Sequence, residues 1–239
     1  MIHSQSTHLI SSNFLSNKFA HGFGMRQFGN ARDVKKTITS LKTIIPDLRS
    51  VVYMEQVHGA EIQTIHEVPN ALHIEVSGVD GVVTKMSHVV LLVRTTDCVP
   101  LFFADERAGV IGAAHAGWRG TLGQIGKGMI DTMVQTGATL SDIHVAIGPA
   151  IGGCCYEIGA DVVEKFQSAF PQFIDSCFNL QSGKYYLSLT KLNFLILKQA
   201  GLVDNQIDFF PFCTHCDSDR FWSYRRGETQ SLVNFIARR

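Results

Sequence analysis

The stretch VVLLVRTTDCVPLFFADERAGVIGAAHAGWRG, residues 89–120, indicates how this chain folds. It contains three apolar runs, Val89–Thr95, Leu101–Ala104 and Val110–Ala114, each bounded by Asp, Gly or Pro. Runs of this length and composition are typical of buried β-strands. The segments between them are too short to hold a helix, which argues against a regular doubly wound parallel sheet.

Outside this stretch, the hydrophobic period alternates between that of strands and that of helices. A mixed sheet layered with helices fits this order best, so we predict an α/β (α+β) fold. Further strands are predicted at Val51–Val57, Val82–Thr84, His144–Ile147, Ile207–Phe210 and Ser231–Ile236, and helices at Asp33–Thr43, Thr121–Gln135, Ala160–Phe170 and Leu189–Ala200. In the helix that begins at Thr121, the predicted apolar face consists of Leu122, Ile125, Met129, Ile130, Met133 and Val134.

Composition limits the classes of function. The 239 residues are 45% hydrophobic with a net charge of zero, which fits one domain over residues 1–239. No dense Lys/Arg run is present, so we expect neither nucleic acid nor an anionic membrane as a partner. Residues 1–19 lack the basic and apolar regions of a signal peptide, and runs such as Val89–Val93 are too short to span a bilayer. We therefore expect a soluble, cytoplasmic protein with reduced thiols.

Three short segments carry the chemistry, and each follows a predicted strand. They are Gln56-Val57-His58-Gly59, Thr96-Asp97-Cys98-Val99-Pro100 and His115-Ala116-Gly117-Trp118-Arg119-Gly120. Each places a metal-binding side chain where a strand ends and a loop begins, which is where α/β folds build sites.

Two imidazoles and one thiolate suit zinc. Catalytic zinc sites use three protein ligands and keep a fourth position open, a requirement that His58, Cys98 and His115 would meet. Asp97 is a candidate to orient a ligand or accept a proton, and the N–H groups near Thr121 suit an anion. Spacing alone does not connect the three ligands, because 40 and 17 residues separate them.

The remaining cysteines carry weaker signals. Cys213-Thr214-His215-Cys216 looks like half of a zinc knuckle or a redox pair, but no second CxxC or HxxxH completes it. We therefore predict that Cys213 and Cys216 are neither metal ligands nor a redox pair. Cys154-Cys155 is a candidate nucleophile, although the glycines before it favour a tight turn.

Five motifs, in order along nearly the whole chain, resemble the YfiH/YlmD family. Its members are also named laccase-domain proteins, polyphenol oxidases, peptidoglycan editing factors and, more recently, purine nucleoside phosphorylases. The motifs are Gln56-Val57-His58-Gly59, Thr96-Asp97-Cys98-Val99-Pro100, His115-Ala116-Gly117-Trp118-Arg119-Gly120, Ile147-Gly148-Pro149 with Cys154-Cys155-Tyr156-Glu157, and Phe221-Trp222-Ser223-Tyr224-Arg225-Arg226.

The resemblance implies a monomeric α/β/β/α fold with one zinc ion held by His58, Cys98 and His115. It also implies phosphorolysis of adenosine, inosine and methylthioadenosine, with adenosine deamination as a side activity. Purine nucleosides and phosphate are then the partners, Asp97 and Cys98 the catalytic candidates, and Arg26, Gln56 and Arg119 the substrate-binding candidates. A guanidinium matches phosphate geometry in two contacts, which favours the two arginines as the phosphate clamp.

Two other enzyme classes remain open. In a cysteine hydrolase, for instance one acting on a peptidoglycan precursor, Cys98 would be the nucleophile and His115 its base. In a copper-dependent polyphenol oxidase the same residues would hold copper. A laccase needs further histidines in paired HxH motifs, however, and none of the ten histidines is spaced in that way.

Overall fold

The computed structural model describes residues 3–6, 8–12, 15 and 18–239. The sequence of residues 1–19 predicts no signal peptide, and part of this segment lies outside the described residues. Within the described part of the chain, no helix is both long enough and apolar enough to cross a membrane.

Two large mixed sheets and one small antiparallel sheet organise the described residues. The strand orders are β1-β2-β3-β16-β8-β4-β6 in the first sheet, β15-β11-β9-β10-β7-β5 in the second and β12-β14-β13 in the third. The strands are β1 (His3–Ser6), β2 (Leu9–Ser11), β3 (Phe19–Gly24), β4 (Ser50–Met54), β5 (Ile62–Ile65), β6 (His73–Val76), β7 (Gly81–Thr84), β8 (Val89–Thr95), β9 (Val99–Asp105), β10 (Val110–Ala116), β11 (Ile143–Ile147), β12 (Glu157–Ile158), β13 (Phe178–Gln181), β14 (Lys184–Leu187), β15 (Ile207–Phe209) and β16 (Leu232–Arg238).

The two large sheets pack face to face because their central strands are apolar on both sides. In β8, Leu91 and Val93 pack with Phe102 of β9 in the cluster between the sheets. Leu92, between them in sequence, points to the opposite face and joins a separate cluster. Successive strand residues face opposite sides of a sheet, so continuous apolar runs produce strands that are buried on both faces.

Helices cover the outer faces of both sheets. Helix α1 packs on the first sheet through Ile38 and Leu41, and α3 and α6 pack on the second through residues such as Met129 and Leu192. The resulting α/β/β/α layering confirms the predicted fold class. The helices are α1 (Val34–Ile44), α2 (Trp118–Leu122), α3 (Ile125–Gln135), α4 (Ala160–Ala169), α5 (Ile174–Cys177) and α6 (Leu189–Gln199).

The helix predicted over Thr121–Gln135 is two helices, α2 and α3. The chain breaks at Gln124, whose φ of 57° is incompatible with a continuing right-handed helix. Met129 and Met133 are buried as predicted, whereas Val134 is 45% exposed and lies off the apolar face.

The strand predicted over Val51–Val57 ends at Met54, and the next residues turn toward the site described below. Sequence reasoning missed β5, β6 and the hairpin of β13 and β14. The residues of β5, β6 and β13 are exposed or half-buried, and in β14 only Leu187 is buried, which weakens the apolar signal of these strands.

Helix α2 packs its backbone closely against the loop that follows β4. A Cβ atom added at Gly120 would lie 2.6 Å from the carbonyl oxygen of Gly59. The Cβ atom and the carbonyl oxygen are both fixed to the backbone, so this clash disappears only if helix α2 or the loop around Gly59 shifts. Gly120 therefore fixes how near α2 comes to the residues around Gly59.

We predict that Gly120→Ala lowers the free energy of unfolding by about 1–3 kcal/mol, since overpacking forces a backbone shift. Gly128→Ala in α3 is the matched control, because its added Cβ meets only the end of the Ile62 side chain. That control should be neutral or up to about 1 kcal/mol more stable, from helix propensity. Urea unfolding measures both changes, and equal stability of the two variants would contradict the close packing.

Candidate metal centre

The fold brings His58, Cys98 and His115 together. One ligand atom from each lies within 4.8 Å of the other two. His58 lies in the connection from β4 to β5, Cys98 in the turn from β8 to β9, and His115 near the end of β10. Both connections pass from the first large sheet to the second, so the cluster lies where the chain crosses between the sheets.

Two residues of the cluster's turns have unusual backbone conformations. His58 has a φ of 61° and Asp97, directly before Cys98, has a φ of 84°. Non-glycine residues rarely adopt positive φ, and such conformations persist where the surrounding structure holds them. They reverse the chain sharply, so that the side chains of His58 and Cys98 meet.

A buried carboxylate, Asp80, fixes the histidine side of the cluster. His115 donates its Nδ1 proton to Asp80 Oδ1 over 2.7 Å, and both side chains are almost completely buried. The backbone N–H of Gly59 donates to Asp80 Oδ2 over 2.6 Å. The N–H groups of Val57 and His58 complete the set, each at 3.2 Å. The Asp80 side chain thus holds both the loop that carries His58 and the ring of His115.

The bond to Asp80 also sets the tautomer of His115. A carboxylate only accepts, so Nδ1 keeps its proton, and Nε2 is the nitrogen that offers a lone pair to a metal ion once its own proton is lost. Burial alone would raise the pKa of Asp80, but the bond from His115 and the backbone N–H groups lower it overall. Asp80 is therefore an ionised acceptor at neutral pH.

The imidazoles also favour a thiolate at Cys98. Burial by itself would raise the pKa of this thiol, but His115 and His58 beside it outweigh burial and lower the pKa to about 6. Conversely, burial would lower the pKa of His115, whereas the Cys98 charge and the Asp80 bond raise it to about 9. Thiolate is the form of cysteine that binds metal ions or attacks substrates.

Gly117 lets the backbone approach all three side chains. A Cβ there would lie 3.1 Å from His58 Cδ2, 3.4 Å from Cys98 Sγ and 3.7 Å from His115 Cε1. A side chain at this position would press on the three ligands. The glycine in the third segment thus leaves room for the cluster.

A cleft of about 700 Å³ opens over the cluster, a size typical of small-molecule sites. Its wall combines cationic and aromatic side chains. The lining residues are Arg32, Gln56, His58, Arg94, Thr96, Asp97, Cys98, His115, Trp118, Arg119, Tyr156, Tyr224, Arg225, Glu228, Thr229 and Ser231.

Two of the predicted substrate-binding residues line this cleft. Arg119 is exposed, and its guanidinium lies over the ring of Trp118 at 4.4 Å. Gln56 exchanges two hydrogen bonds with the backbone of Arg94, at 2.7 and 2.9 Å. Those bonds fasten Gln56 to β8 and occupy its amide, so it holds the entry to the His58 loop in place.

Arg26 is not among the residues that line the cleft. Its guanidinium pairs with Glu228, which does line the cleft, and it lies over the ring of Trp222 at 5.9 Å. A direct phosphate contact from Arg26 therefore needs the pair with Glu228 to break. The geometry instead makes Arg26 a support for Glu228.

Asp97 lines the cleft, but its carboxylate is already used. Thr214 Oγ1 donates to it over 2.6 Å, and Ser223 Oγ and the N–H of Arg225 each donate over 2.9 Å. These bonds tie two later loops to the turn that carries Cys98. Asp80, and not Asp97, is the carboxylate bonded to a histidine of the cluster.

Sequence reasoning missed Asp80. The available signal was a lone carboxylate at the start of an apolar run, Val79-Asp80-Gly81-Val82-Val83. Charged residues are almost never fully buried unless they are paired, so an Asp that begins a buried strand suggests a partner. Nothing in the sequence identifies that partner as His115, 35 residues away.

Comparison with known proteins identifies the family of this chain. Residues 18–239 match the family described as multi-copper polyphenol oxidoreductase laccase. The chain is 40% identical over 198 residues to the purine nucleoside phosphorylase YlmD of Geobacillus stearothermophilus, which covers 79% of this chain and 72% of that protein. It is 37% identical over 186 residues to an adenosine deaminase from an unknown prokaryotic organism, covering 75% and 71% respectively.

Solved structures show the same fold. The crystal structure of YlmD from Geobacillus stearothermophilus superposes with a TM-score of 0.89 at 31% identity, over 100% of this chain and 98% of that one. That of Bacillus licheniformis YfiH gives 0.84 at 26% identity, over 100% and 99%. The family match includes every strand from β3 onward, the helices and the cluster. This chain therefore belongs to the laccase-domain family that includes YlmD and YfiH.

Proposed function

We propose that this protein is a zinc-dependent purine nucleoside phosphorylase that cleaves adenosine, inosine and methylthioadenosine with phosphate, and that it deaminates adenosine as a side activity. The observation that carries the proposal is the cluster of two imidazoles and one thiolate at a cleft lined by arginines and aromatic rings. Relatives named purine nucleoside phosphorylase and adenosine deaminase support the same activities.

The donor set fits one zinc ion with an open fourth position. When bound there, zinc acts as a Lewis acid and lowers the pKa of a coordinated water toward neutrality. Copper oxidases of the laccase type need several histidine-rich sites. Among the described residues, the second potential metal cluster contains only cysteines, which favours zinc chemistry over multi-copper oxidation.

Aromatic side chains of the cleft suit a purine base. Trp118, Tyr156 and Tyr224 line it, and Tyr224 is 70% exposed and available to a ligand. Flat heteroaromatic rings stack on aromatic side chains, so we infer that the base lies against this wall of the cleft. The ribose would then face the cluster and the arginines.

The arginines suit phosphate. Arg119 and Arg32 line the cleft and are exposed, whereas Arg94 is bonded to Glu75 and to the Met54 carbonyl. In phosphorolysis a phosphate oxygen bonds to C1′ of the ribose while the bond from C1′ to the base nitrogen breaks. The electron pair leaves with the base, which takes up a proton, and ribose 1-phosphate remains. Arg119 would hold phosphate for this attack.

The function is tested with purified protein, inosine and varied phosphate. We predict that hypoxanthine and ribose 1-phosphate form together, at a rate that rises with phosphate until it saturates. Arg119→Ala should raise the phosphate KM about tenfold or more, because a charge-assisted hydrogen bond contributes about 1.5–3 kcal/mol. The control is Arg107→Ala, an exposed arginine paired with Asp142 outside this cleft.

Release of free ribose at a rate independent of phosphate would contradict phosphorolysis. Full activity in the presence of a strong chelator, with a covalent adduct on Cys98, would instead support the cysteine-hydrolase alternative. In that case His115, which lowers the pKa of Cys98, would be the base.

Asp80 gives a second prediction, on metal affinity. Asp80→Asn should weaken zinc binding to His58, Cys98 and His115 by about 10–100-fold, the usual effect of losing the partner of a ligating histidine. The amide lacks the charge that favours metal-bound His115, and its NH₂ group cannot accept the backbone N–H bonds. Cys98→Ala, which removes a ligand, should abolish binding at this site. Competition with a zinc-binding dye measures the affinity.

Asp105→Asn is the matched control for Asp80→Asn. Asp105 is also fully buried and accepts backbone N–H bonds, from Ala108 at 2.8 Å and Thr139 at 2.9 Å. Its loss should lower stability without changing zinc affinity. If both variants bound zinc as the wild type does, Asp80 would have no role in the metal site.

A further inference from the structure

Four cysteines meet on the surface, in a place where the sequence predicted no metal site. The prediction rested on the lack of a partner motif for Cys213 and Cys216. The structure supplies that partner in Cys154 and Cys155, because the four sulfur atoms all lie within 4.8 Å of one another. The two pairs come from the loop after β11 and the loop after β15, about 60 residues apart in sequence.

Two of the sulfur–sulfur distances are close to those expected for tetrahedral coordination of one ion. Cys216 Sγ lies 3.6 Å from Cys154 Sγ and 3.3 Å from Cys155 Sγ. A Zn–S bond of about 2.3 Å in a tetrahedron places neighbouring sulfurs about 3.8 Å apart. A disulfide bond needs about 2.0 Å, and all four cysteines are free. The observed separations therefore fall close to those around one shared ion.

We propose that Cys154, Cys155, Cys213 and Cys216 bind a second zinc ion in a closed, structural site. The site is separate from the cluster of His58, Cys98 and His115, and its four ligands leave no open position. Its zinc therefore takes no part in the reaction and holds the two loops together.

The backbone around the sulfurs is arranged as in a thiolate site. The N–H of Gly152 donates to Cys213 Sγ over 3.1 Å, and a Cβ at Gly152 would lie only 3.3 Å from the same sulfur. Thiols this close cannot all ionise unless a cation balances their charges.

The site would stabilise one wall of the cleft. The N–H of Thr214 donates to the Ala150 carbonyl over 3.0 Å, which joins the two cysteine loops. Thr214 also donates to Asp97, the neighbour of Cys98, and Tyr156, next to Cys155, lines the cleft. Metal bound by the four thiolates would hold Thr214 against Asp97 and keep Tyr156 in the wall of the cleft.

Metal analysis of the full chain, purified under reducing conditions with zinc present, tests the proposal. We expect two zinc ions per chain in the wild type and in the control Cys177→Ala, whose cysteine is buried elsewhere in the core. Cys216→Ser should retain one ion. Cys98→Ala should also retain one ion, because it loses only the ion of the catalytic cluster. Without the second site, Cys216→Ser would keep the zinc content of the wild type while Cys98→Ala would bind none, so failure of this proposal is distinguished from failure of the proposed function.

Iodoacetamide labelling of the wild type tests the site without a variant that has to fold. Cys154 and Cys216 are exposed, so with zinc bound they should stay unlabelled until a chelator is added. Rapid labelling of these residues in the zinc-loaded protein would overturn the proposal. Equal zinc content in the wild type and Cys216→Ser would also overturn it. So would a protein mass, measured without reductant, that is lower by the hydrogens lost when a disulfide forms.

Discussion

The buried carboxylate of Asp80 accepts a hydrogen bond from His115 and three more from the backbone after β4. A fully buried charge is stable only when its oxygens are hydrogen-bonded. Asp80 meets that condition only if the loop of His58 and the ring of His115 are both in place. Folding of the loop and orientation of the histidine therefore depend on each other, and together they set the position at which Cys98 completes the cluster.

Glycines and loop contacts then adapt the surroundings to this arrangement. Gly117 and Gly120 bring backbone against the ligands and against the loop of Gly59. Asp97 holds the later loops against the turn of Cys98. The two clusters of potential metal ligands differ in the way that catalytic and structural zinc sites differ: one has two imidazoles and a thiol beside a cleft, and the other has four thiols between two loops.

The sequence predicted what local pattern and ligand chemistry determine. The apolar run Val89–Thr95 is a strand with the predicted bounds, and the three chosen ligands meet in one cluster. Long-range contacts were missed: the bond of Asp80 to His115, the pairing of Arg26 with Glu228, and the approach of Cys154 and Cys155 to Cys213 and Cys216. Each depends on the folded path of the chain, which residue spacing does not reveal. The organisation of residues 1–239 as a single domain stays a prediction.

Anomalous diffraction from crystals of the purified protein, recorded above and below the zinc absorption edge, tests most directly whether the cluster binds zinc. We predict an anomalous peak, present only above the edge, between the side chains of His58, Cys98 and His115 and open to the cleft. Asp80→Asn crystals should show a weaker peak at that position. A wild-type cluster without a peak, or with one that appears at the copper edge instead, would contradict zinc binding by these three residues.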